Sequence, residues 1–190
     1  MTASPATPHR LPTGWIFDGC EALDLCHHES LAMLAQLEAL VDRIEDIGPD
    51  PQACRMAEAV EQHFSTTVLQ HHEDEERHVF PMLALNGSAS TQQLLARLKQ
   101  DHAWMSANWF ELQPQVDAIA CGQSWVDVDR LRETVAVLAQ LIREHIALEE
   151  SLVYPPFRES LSDVTRGRMN DEMRERRGAV GAREGITARA

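Results

Sequence analysis

Apolar residues recur along most of this chain at spacings of three and four, with polar residues between them. This periodicity is typical of amphipathic α-helices, and the alternating pattern of β-strands is nearly absent. Breaks rich in glycine, proline and serine divide the pattern into four segments of about 30 residues joined by short loops. The pattern therefore predicts an all-α protein, an antiparallel up-down four-helix bundle.

Local signals indicate where the helices begin and end. Asp18 is typical of a helix N-cap because Glu21 follows three residues later, and Asp50 before Pro51 forms a second cap of this kind. Pro81 is expected to kink or end the second helix because it has no backbone N–H to donate. The helices are predicted to end at Gly48, at about Phe80, at about Cys121 and at Pro155–Pro156.

The bundle is predicted to occupy residues 18–160. Residues 1–17 are rich in proline and threonine and indicate an extended N-terminal arm. Residues 161–190 are predicted to form a polar, partly flexible tail, in which the stretch up to Arg177 could form a short helix.

Composition and charge narrow the classes of function. The 190 residues are 44% hydrophobic and 25% charged, as in an ordinary globular domain, and the net charge is −13. That charge argues against nucleic acid or an anionic membrane surface as the main partner. The four cysteines form no CxxC pair, and neither a leader nor an apolar run of 18 residues is present. The predicted location is the cytoplasm.

Two stretches, "HHEDEERHVFP" at residues 71–81 and "HIALEESLVYP" at residues 145–155, share one motif. Each has a histidine, then glutamates four and five residues later, then an aromatic residue and a proline. On a helix, a spacing of four places the histidine and the first glutamate on one face, about 6 Å apart along the axis. His71 with Glu75, and His145 with Glu149, are therefore predicted to stack on two helices.

These pairs are predicted to face the core. The apolar stripe of the fourth helix is centred close to His145 by Leu138, Leu141, Leu148 and Leu152. A single inward histidine is often an ordinary core residue, but an inward carboxylate beside it needs a cation or a proton. The occurrence of both on two helices favours metal ligation.

The other two helices each offer a histidine. His102 shares an apolar stripe of the third helix with residues such as Leu98 and Met105. In "CHHES" the helical face favours His27, whereas the spacing of the repeat favours His28. We choose His27 because loop lengths vary more easily than helix faces.

The predicted metal ligands are His27, His71, Glu75, His102, His145 and Glu149. Four imidazoles and two carboxylates suit two first-row metals better than one. Two bridging glutamates and an oxo or hydroxo bridge would leave one open position on each metal. This mixed donor set suits iron, with manganese or zinc as weaker options, so two iron ions are the predicted cofactors.

With these motifs the chain resembles the hemerythrin family, in particular the bacterial hemerythrin-like HHE domains, over roughly residues 20–157. The resemblance rests on "CHH", "HHEDEERHVFP", "QDH" and "HIALEESLVYP". It implies a four-helix bundle around a non-haem di-iron centre held by the six residues named above. One position departs from the oxygen carriers, which have a second histidine one turn beyond His102 where this chain has Ser106. Reversible oxygen transport is therefore not expected.

The predicted function is a di-iron protein that binds or reacts with O2, NO or peroxide in sensing, scavenging or stress response. The same centre would suit an oxidase or a peroxide- or NO-handling activity. The alternative is iron storage or donation, or repair of iron–sulfur centres. A structural bundle with zinc or no metal is least favoured, because all six ligand types are intact. The predicted partner is a small molecule, with no nucleic acid, no membrane and no identified protein.

Several polar residues near the motifs have more than one interpretation. His72 and Glu73 are predicted to lie on a solvated helix face, and His63 at the periphery. Glu76 and Glu150 could accept a proton from a ligand histidine, or lie in solvent near a helix end.

Two further residues lie close to the motifs. His78 could be an extra ligand or a partly buried histidine near the end of the bundle. Tyr154, the only tyrosine, could donate a hydrogen bond to a bound oxygen species or pack at the end of the bundle.

Overall fold

The structure is a computed structural model that describes residues 17–187, with side chains up to Gly178. Within that range the chain forms five helices and no strand. Helix α1 is Gly19–Asp46, α3 is Ala89–Ala120 and α5 is Asp163–Thr187. Helix α2 covers residues 51–86 as Pro51–Gln62, His63–Thr67, Val68–Asp74, Glu75–Val79 and Phe80–Asn86. Helix α4 covers residues 128–160 as Val128–Leu148, Glu149–Val153 and Tyr154–Ser160.

The predicted helix caps are confirmed. The Asp18 carboxylate accepts a hydrogen bond from the N–H of Cys20 at 2.8 Å, and that of Asp50 accepts one from Ala53 at 2.7 Å. Gly48 and Gly122 follow α1 and α3 with φ values of 84° and 69°. This left-handed conformation ends a helix at little cost only when the residue is glycine.

Helix α4 continues beyond Pro155–Pro156, where it was predicted to end, so that prediction was wrong. Helix α2 continues beyond Pro81, which was expected to kink or end it, so the predicted end is wrong there too and only the alternative of a local distortion remains. Glu75–Val79 and Glu149–Val153 are π-helical turns. In these turns Phe80 donates its N–H to the carbonyl of Glu75, and Tyr154 donates to that of Glu149. The wider turn holds one extra residue, which lets the helix accommodate a proline that has no N–H.

The extra residue of a π turn also changes which side chains point inward beyond it. Leu152 was predicted in the apolar stripe of α4, but it is 55% exposed, and Val153 is buried in its place. The period of an ideal α-helix therefore fails just after the ligand glutamates.

Helices α1 to α4 pack in a ring, in which each contacts the next and α4 contacts α1. Two clusters of buried apolar side chains fill the space between them. The Leu34 cluster includes Leu34, Val60, Leu112 and Leu138, and the Leu23 cluster includes Leu23, Phe80, Leu98 and Phe157. The residues predicted to bind metal lie along each helix where its contribution to one cluster gives way to its contribution to the other.

Helix α5 packs against α1 at the end of the bundle filled by the Leu23 cluster. Met169 and Met173 are buried there, close to Gly19, whose N–H donates to the Asn170 side chain at 2.8 Å. The helix continues past Arg177, where its end was predicted. The tail therefore docks on the bundle through part of its length. The predicted N-terminal arm lies outside the described residues except for Phe17.

No helix in the described part of the chain combines the length and apolar character needed to cross a membrane.

Candidate metal centre

The structure brings all six predicted ligands together in the interior. Their exposed fractions are 1% for His27, 4% for His71, 0% for Glu75, 4% for His102, 2% for His145 and 0% for Glu149. His28 is exposed, and its Nδ1 lies 2.8 Å from the carbonyl oxygen of Asp24. The helical face therefore located the inward histidine of α1, and the spacing of the repeat pointed to the wrong neighbour.

The ligand atoms form two overlapping groups. One consists of His27, His71, Glu75 and Glu149, and the other of His102, His145 and the same two glutamates. In each group the candidate ligand atoms all lie within 4.8 Å of one another. The two histidine pairs are separate and the two carboxylates are common to both, which is the arrangement of two adjacent metal positions with shared carboxylates.

The distances support this sharing. Glu149 Oε2 lies 3.2 Å from His27 Nε2 and 3.1 Å from His145 Nε2, so it faces one histidine of each group. Glu75 Oε2 lies 3.4 Å from the Nε2 atoms of both His71 and His102, again one from each group. Two ligand atoms bound about 2.1 Å from one metal at a right angle are about 3 Å apart. The spacing is therefore close to that of ligands on common metals.

Buried polar atoms without partners show that the cluster needs cations or protons. Glu75 Oε2 and both carboxylate oxygens of Glu149 have no hydrogen-bond partner in the described structure. His102 Nε2 and His145 Nε2 lie 3.2 Å apart, so two ring nitrogens point at each other. Leaving such groups unpaired in a dry interior costs several kcal/mol, which a metal in each group would offset. The donors present thus fit two metal ions.

Comparison with known proteins agrees with this chemistry. The family model described as the hemerythrin HHE cation binding domain matches residues 18–157. The chain belongs to the hemerythrin HHE family. It is also 30% identical over 157 residues to an uncharacterised protein of Haemophilus influenzae, covering 83% of this chain and 88% of that one. The resemblance inferred from the motifs is thereby confirmed, and it identifies the chain as a metal-binding protein of a family associated with iron.

Two more carboxylates orient ligand histidines of the HHE centre. His27 Nδ1 lies 3.3 Å from Glu150 Oε1, and His102 Nδ1 lies 3.1 Å from Glu76 Oε1. An Nδ1–H donated to a carboxylate fixes the tautomer, so that the Nε2 lone pair points at the metal position. The structure therefore favours this role over simple solvation. Glu76 is itself held by Lys99 at 2.8 Å.

Burial and neighbouring charges set the protonation of the metal-free cluster. Burial lowers the pKa of His71 to about 3 and that of His145 to about 4, so both are neutral at pH 7, as ligation requires. Burial opposes charge on His27 too, but its contact with Glu149 outweighs this and raises the His27 pKa. Burial, together with the charge of Glu75, raises the pKa of Glu149 to about 8.

Tyr154 belongs to the centre rather than only to the end of the bundle. Its hydroxyl donates to Glu75 Oε1 at 2.7 Å and lies 3.2 Å from His27 Nε2. Phe80 occupies the same position of the other motif, where its ring stacks on His102. The two motifs therefore give the shared glutamates different neighbours.

Two histidines that were predicted to lie near the surface are buried. His72 is 8% exposed, and its ring stacks on His102 with the centroids 3.8 Å apart. The corresponding residue of the second motif is Ile146, and this apolar counterpart was a signal that position 72 faces inward. His63 is also 8% exposed, and its Nε2 lies 2.9 Å from the Ser30 hydroxyl.

Helix α5 contacts the first motif through charged groups. Asp74 is fully buried and pairs with both Arg176 and Arg177 of α5. His78 Nε2 lies 2.6 Å from Glu172 Oε2. His78 therefore faces α5 and not the metal groups, because the π turn after Glu75 changes the inward face.

Proposed function

We propose that this HHE protein holds two iron ions and that a small molecule, O2, NO or peroxide, binds or reacts at their open positions. The observation that carries the proposal is the sharing of Glu75 and Glu149 between two separate histidine pairs. Two imidazoles and two carboxylate oxygens give each metal four protein ligands. A six-coordinate iron would then keep room for a bridge and an exogenous ligand.

The proposal takes helices α1 to α4 as an antiparallel up-down bundle. The order of the two core clusters along the chain supports this topology. Residues of the Leu23 cluster precede the ligands in α1 and α3 and follow them in α2 and α4. Ligands at the middle of all four helices would then converge on one level, where a pair of ions is held from every side.

Bound iron would supply the electrons and the open coordination positions, and the chain supplies the rest. Glu150 and Glu76 orient His27 and His102, and Tyr154 holds Glu75 through its hydroxyl. The apolar clusters on both sides shield the ligands from water at the two ends of the bundle. Such a setting favours uptake of a neutral small molecule over an anion. A cytoplasmic location, with no nucleic acid or membrane as partner, is part of the proposal.

Ser106 bears on what happens after a small molecule binds. It lies one turn after His102 on α3, is exposed, and offers no imidazole. Without an additional histidine at that position, we expect O2 to convert the diferrous form to the diferric form with no long-lived reversible adduct. NO should bind the diferrous form readily.

Anaerobic reconstitution with ferrous iron, followed by titration with O2 and with NO, tests the proposal. Absorption spectra and metal analysis should show about two irons per chain that oxidise once and take up NO. The variant Ser106→His should oxidise more slowly if its imidazole reaches the nearer iron. Reversible oxygenation of the unaltered protein over many cycles would contradict the account. Release of the iron to a chelator during turnover would favour storage or donation instead.

A further inference from the structure

A surface cavity of about 620 Å³ lies between α2 and α3, beside the candidate metal centre. Its lining includes the buried His72 and His102, the exposed Ser106, and charged, exposed side chains such as Arg77 and Lys99. The ligand His102 therefore lies next to a space that is open to solvent. None of the other five ligands lines this cavity.

Two much smaller voids lie inside the protein. One, of about 10 Å³, is lined by His27, His71 and His145 together with apolar residues such as Ile142. The other, of about 20 Å³, lies next to it. It is bounded by Phe64, Met105 and Trp109 on its inner side, and by Leu69 and Ser106, which also line the surface cavity. A space of about 10–15 Å³ holds a single water. Each void is therefore of a size to receive one molecule of two or three atoms.

His72 lines all three spaces. Its ring lies parallel to that of His102, with 9° between the planes. Its ring also contacts the rings of His71 and His145, so packing against other imidazoles holds its orientation. A change of rotamer would break these stacking contacts and move the ring out of the place where the three spaces meet.

We propose that His72 is the gate between the surface cavity and the voids beside the metal positions, and that it determines which ligands pass. The inference rests on the proposed function, since it assumes that small molecules reach the centre. The ligand class is neutral molecules of two or three atoms, because both voids are small and the one bounded by Trp109 is lined mainly by apolar side chains. Larger or charged oxidants are stopped at the cavity.

A direct metal ligand is the other role that His72 could have. His72, His102 and His145 each offer a nitrogen, and these atoms lie within 4.8 Å of one another. However, the lone pairs of an imidazole lie in the plane of its ring. Because the rings of His72 and His102 are parallel at 3.8 Å, their lone pairs run side by side and do not converge on one ion. The geometry thus favours the gate.

Two variants separate the gate from the ligand. His72→Ala opens the passage, whereas His72→Phe keeps it filled with a flat ring that has no nitrogen. A gate predicts that NO binds the diferrous His72→Ala protein about tenfold faster, with His72→Phe within about twofold of the unaltered protein. Both should keep about two irons per chain. Arg77→Ala, which alters an exposed residue that lines the surface cavity but neither void, is the matched control and should leave the rate unchanged.

A measurement on the metal-free protein keeps the gate distinct from the proposed function. Trp109 lines one void and is 7% exposed, so O2 quenching of its fluorescence reports passage into the interior. In a chain with Trp15, Trp104 and Trp125 replaced by Phe, His72→Ala should increase that quenching about twofold or more, and His72→Phe should not.

The outcomes are then decisive. Increased quenching with no NO uptake by any iron-loaded form would support the gate and refute the proposed function. Quenching and NO rates that His72→Ala leaves unchanged would refute the gate. Loss of one iron in both His72→Ala and His72→Phe would refute it in favour of a metal ligand.

Discussion

The two candidate metal positions have the same kinds of ligands but different surroundings. Beside His27 and His71, Tyr154 donates a hydrogen bond to Glu75, and α5 pairs with Asp74 of the first motif. Beside His102 and His145 no hydroxyl takes this place, because Phe80 occupies the corresponding position. His102 also lines the surface cavity.

This comparison indicates which residues control ligation and which control access. The residues that the two motifs share supply the carboxylates and histidines. The motifs differ at Tyr154, which corresponds to Phe80, and at His72, which corresponds to Ile146. These differences leave the position of His27 and His71 enclosed and the position of His102 and His145 next to the surface cavity. We therefore expect exogenous ligands to approach from the side of His102.

The largest effect on metal content is expected from removing a glutamate that both candidate positions share. Glu75 belongs to both ligand groups, so Glu75→Ala should reduce the iron content from about two to below about half an equivalent per chain. The matched control is Glu76→Ala, which removes the neighbouring, partly exposed carboxylate and should keep most of the metal. Metal analysis after anaerobic reconstitution decides the matter. Retention of one full iron by Glu75→Ala would show that the positions do not share this residue.

Removing a histidine should separate the two positions. His27→Ala should lose one of the two metals, since His27 belongs only to the group with His71. His28→Ala, the adjacent exposed histidine, should be nearly silent. The end point of a titration with ferrous iron measures how many metals each variant binds. Equal losses in the two variants would contradict the assignment of the inward face of α1.

A smaller effect concerns the stability of the metal-free protein. The pKa of Glu149 is raised to about 8 in the folded state, so this carboxyl makes folding less favourable as pH rises from about 4.5 through 8. His71 and His145 affect stability in the opposite direction. Their folded pKa values of about 3 and 4 lie below the ordinary value of 6.5, so the folded state loses stability relative to the unfolded state as pH falls below 6.5. The metal-free protein should therefore be most stable near pH 6.5.

Glu149→Gln tests whether ionisation of Glu149 destabilises the metal-free protein as pH rises. It should stabilise the metal-free protein by on the order of 2 kcal/mol at pH 8 and by much less at pH 5. Urea unfolding in the presence of a chelator measures the difference at both values. A gain that is the same at pH 5 and pH 8 would mean that ionisation of Glu149 is not its cause.

The smallest effect is expected from the aromatic pair. Tyr154→Phe removes the hydroxyl that donates to Glu75 and should weaken metal binding by about tenfold, the lower limit for loss of a residue that orients a ligand. Phe80 has no hydroxyl at the corresponding position of the first motif. Adding Phe80→Tyr to the Tyr154→Phe variant would therefore show whether a hydroxyl supplied by the first motif can restore the affinity. Competition with a ferrous chelator measures affinity. An unchanged affinity in Tyr154→Phe would assign the tyrosine to packing.

Much of the fold could be predicted from the sequence because it depends on local periodicity. The caps at Asp18 and Asp50 and the inward faces of His27 and His102 follow from helical geometry alone. The π turns could not be predicted from that period. Each of the two turns begins at a ligand glutamate and lies just before a proline. The extra residue that the turn in α4 holds leaves Leu152 exposed.

Contacts between distant residues could not be predicted either. The carboxylate of Asp74 pairs with Arg176, 102 residues further along the chain, and no local pattern connects these two positions. The burial of Met169 and Met173 against the bundle could not be predicted either, because most residues of α5 are polar. His72 is a different case, since its apolar counterpart Ile146 was visible in the sequence.

The shared carboxylates are tested most directly by Mössbauer spectroscopy of the diferric protein, reconstituted with 57Fe, at low temperature. Two ferric ions held by Glu75 and Glu149, with the oxo or hydroxo bridge expected between them, would couple antiferromagnetically. The account therefore predicts quadrupole doublets without magnetic splitting for about two irons per chain. A magnetically split spectrum of isolated ferric ions would contradict it, because it would show that Glu75 and Glu149 do not hold two irons together.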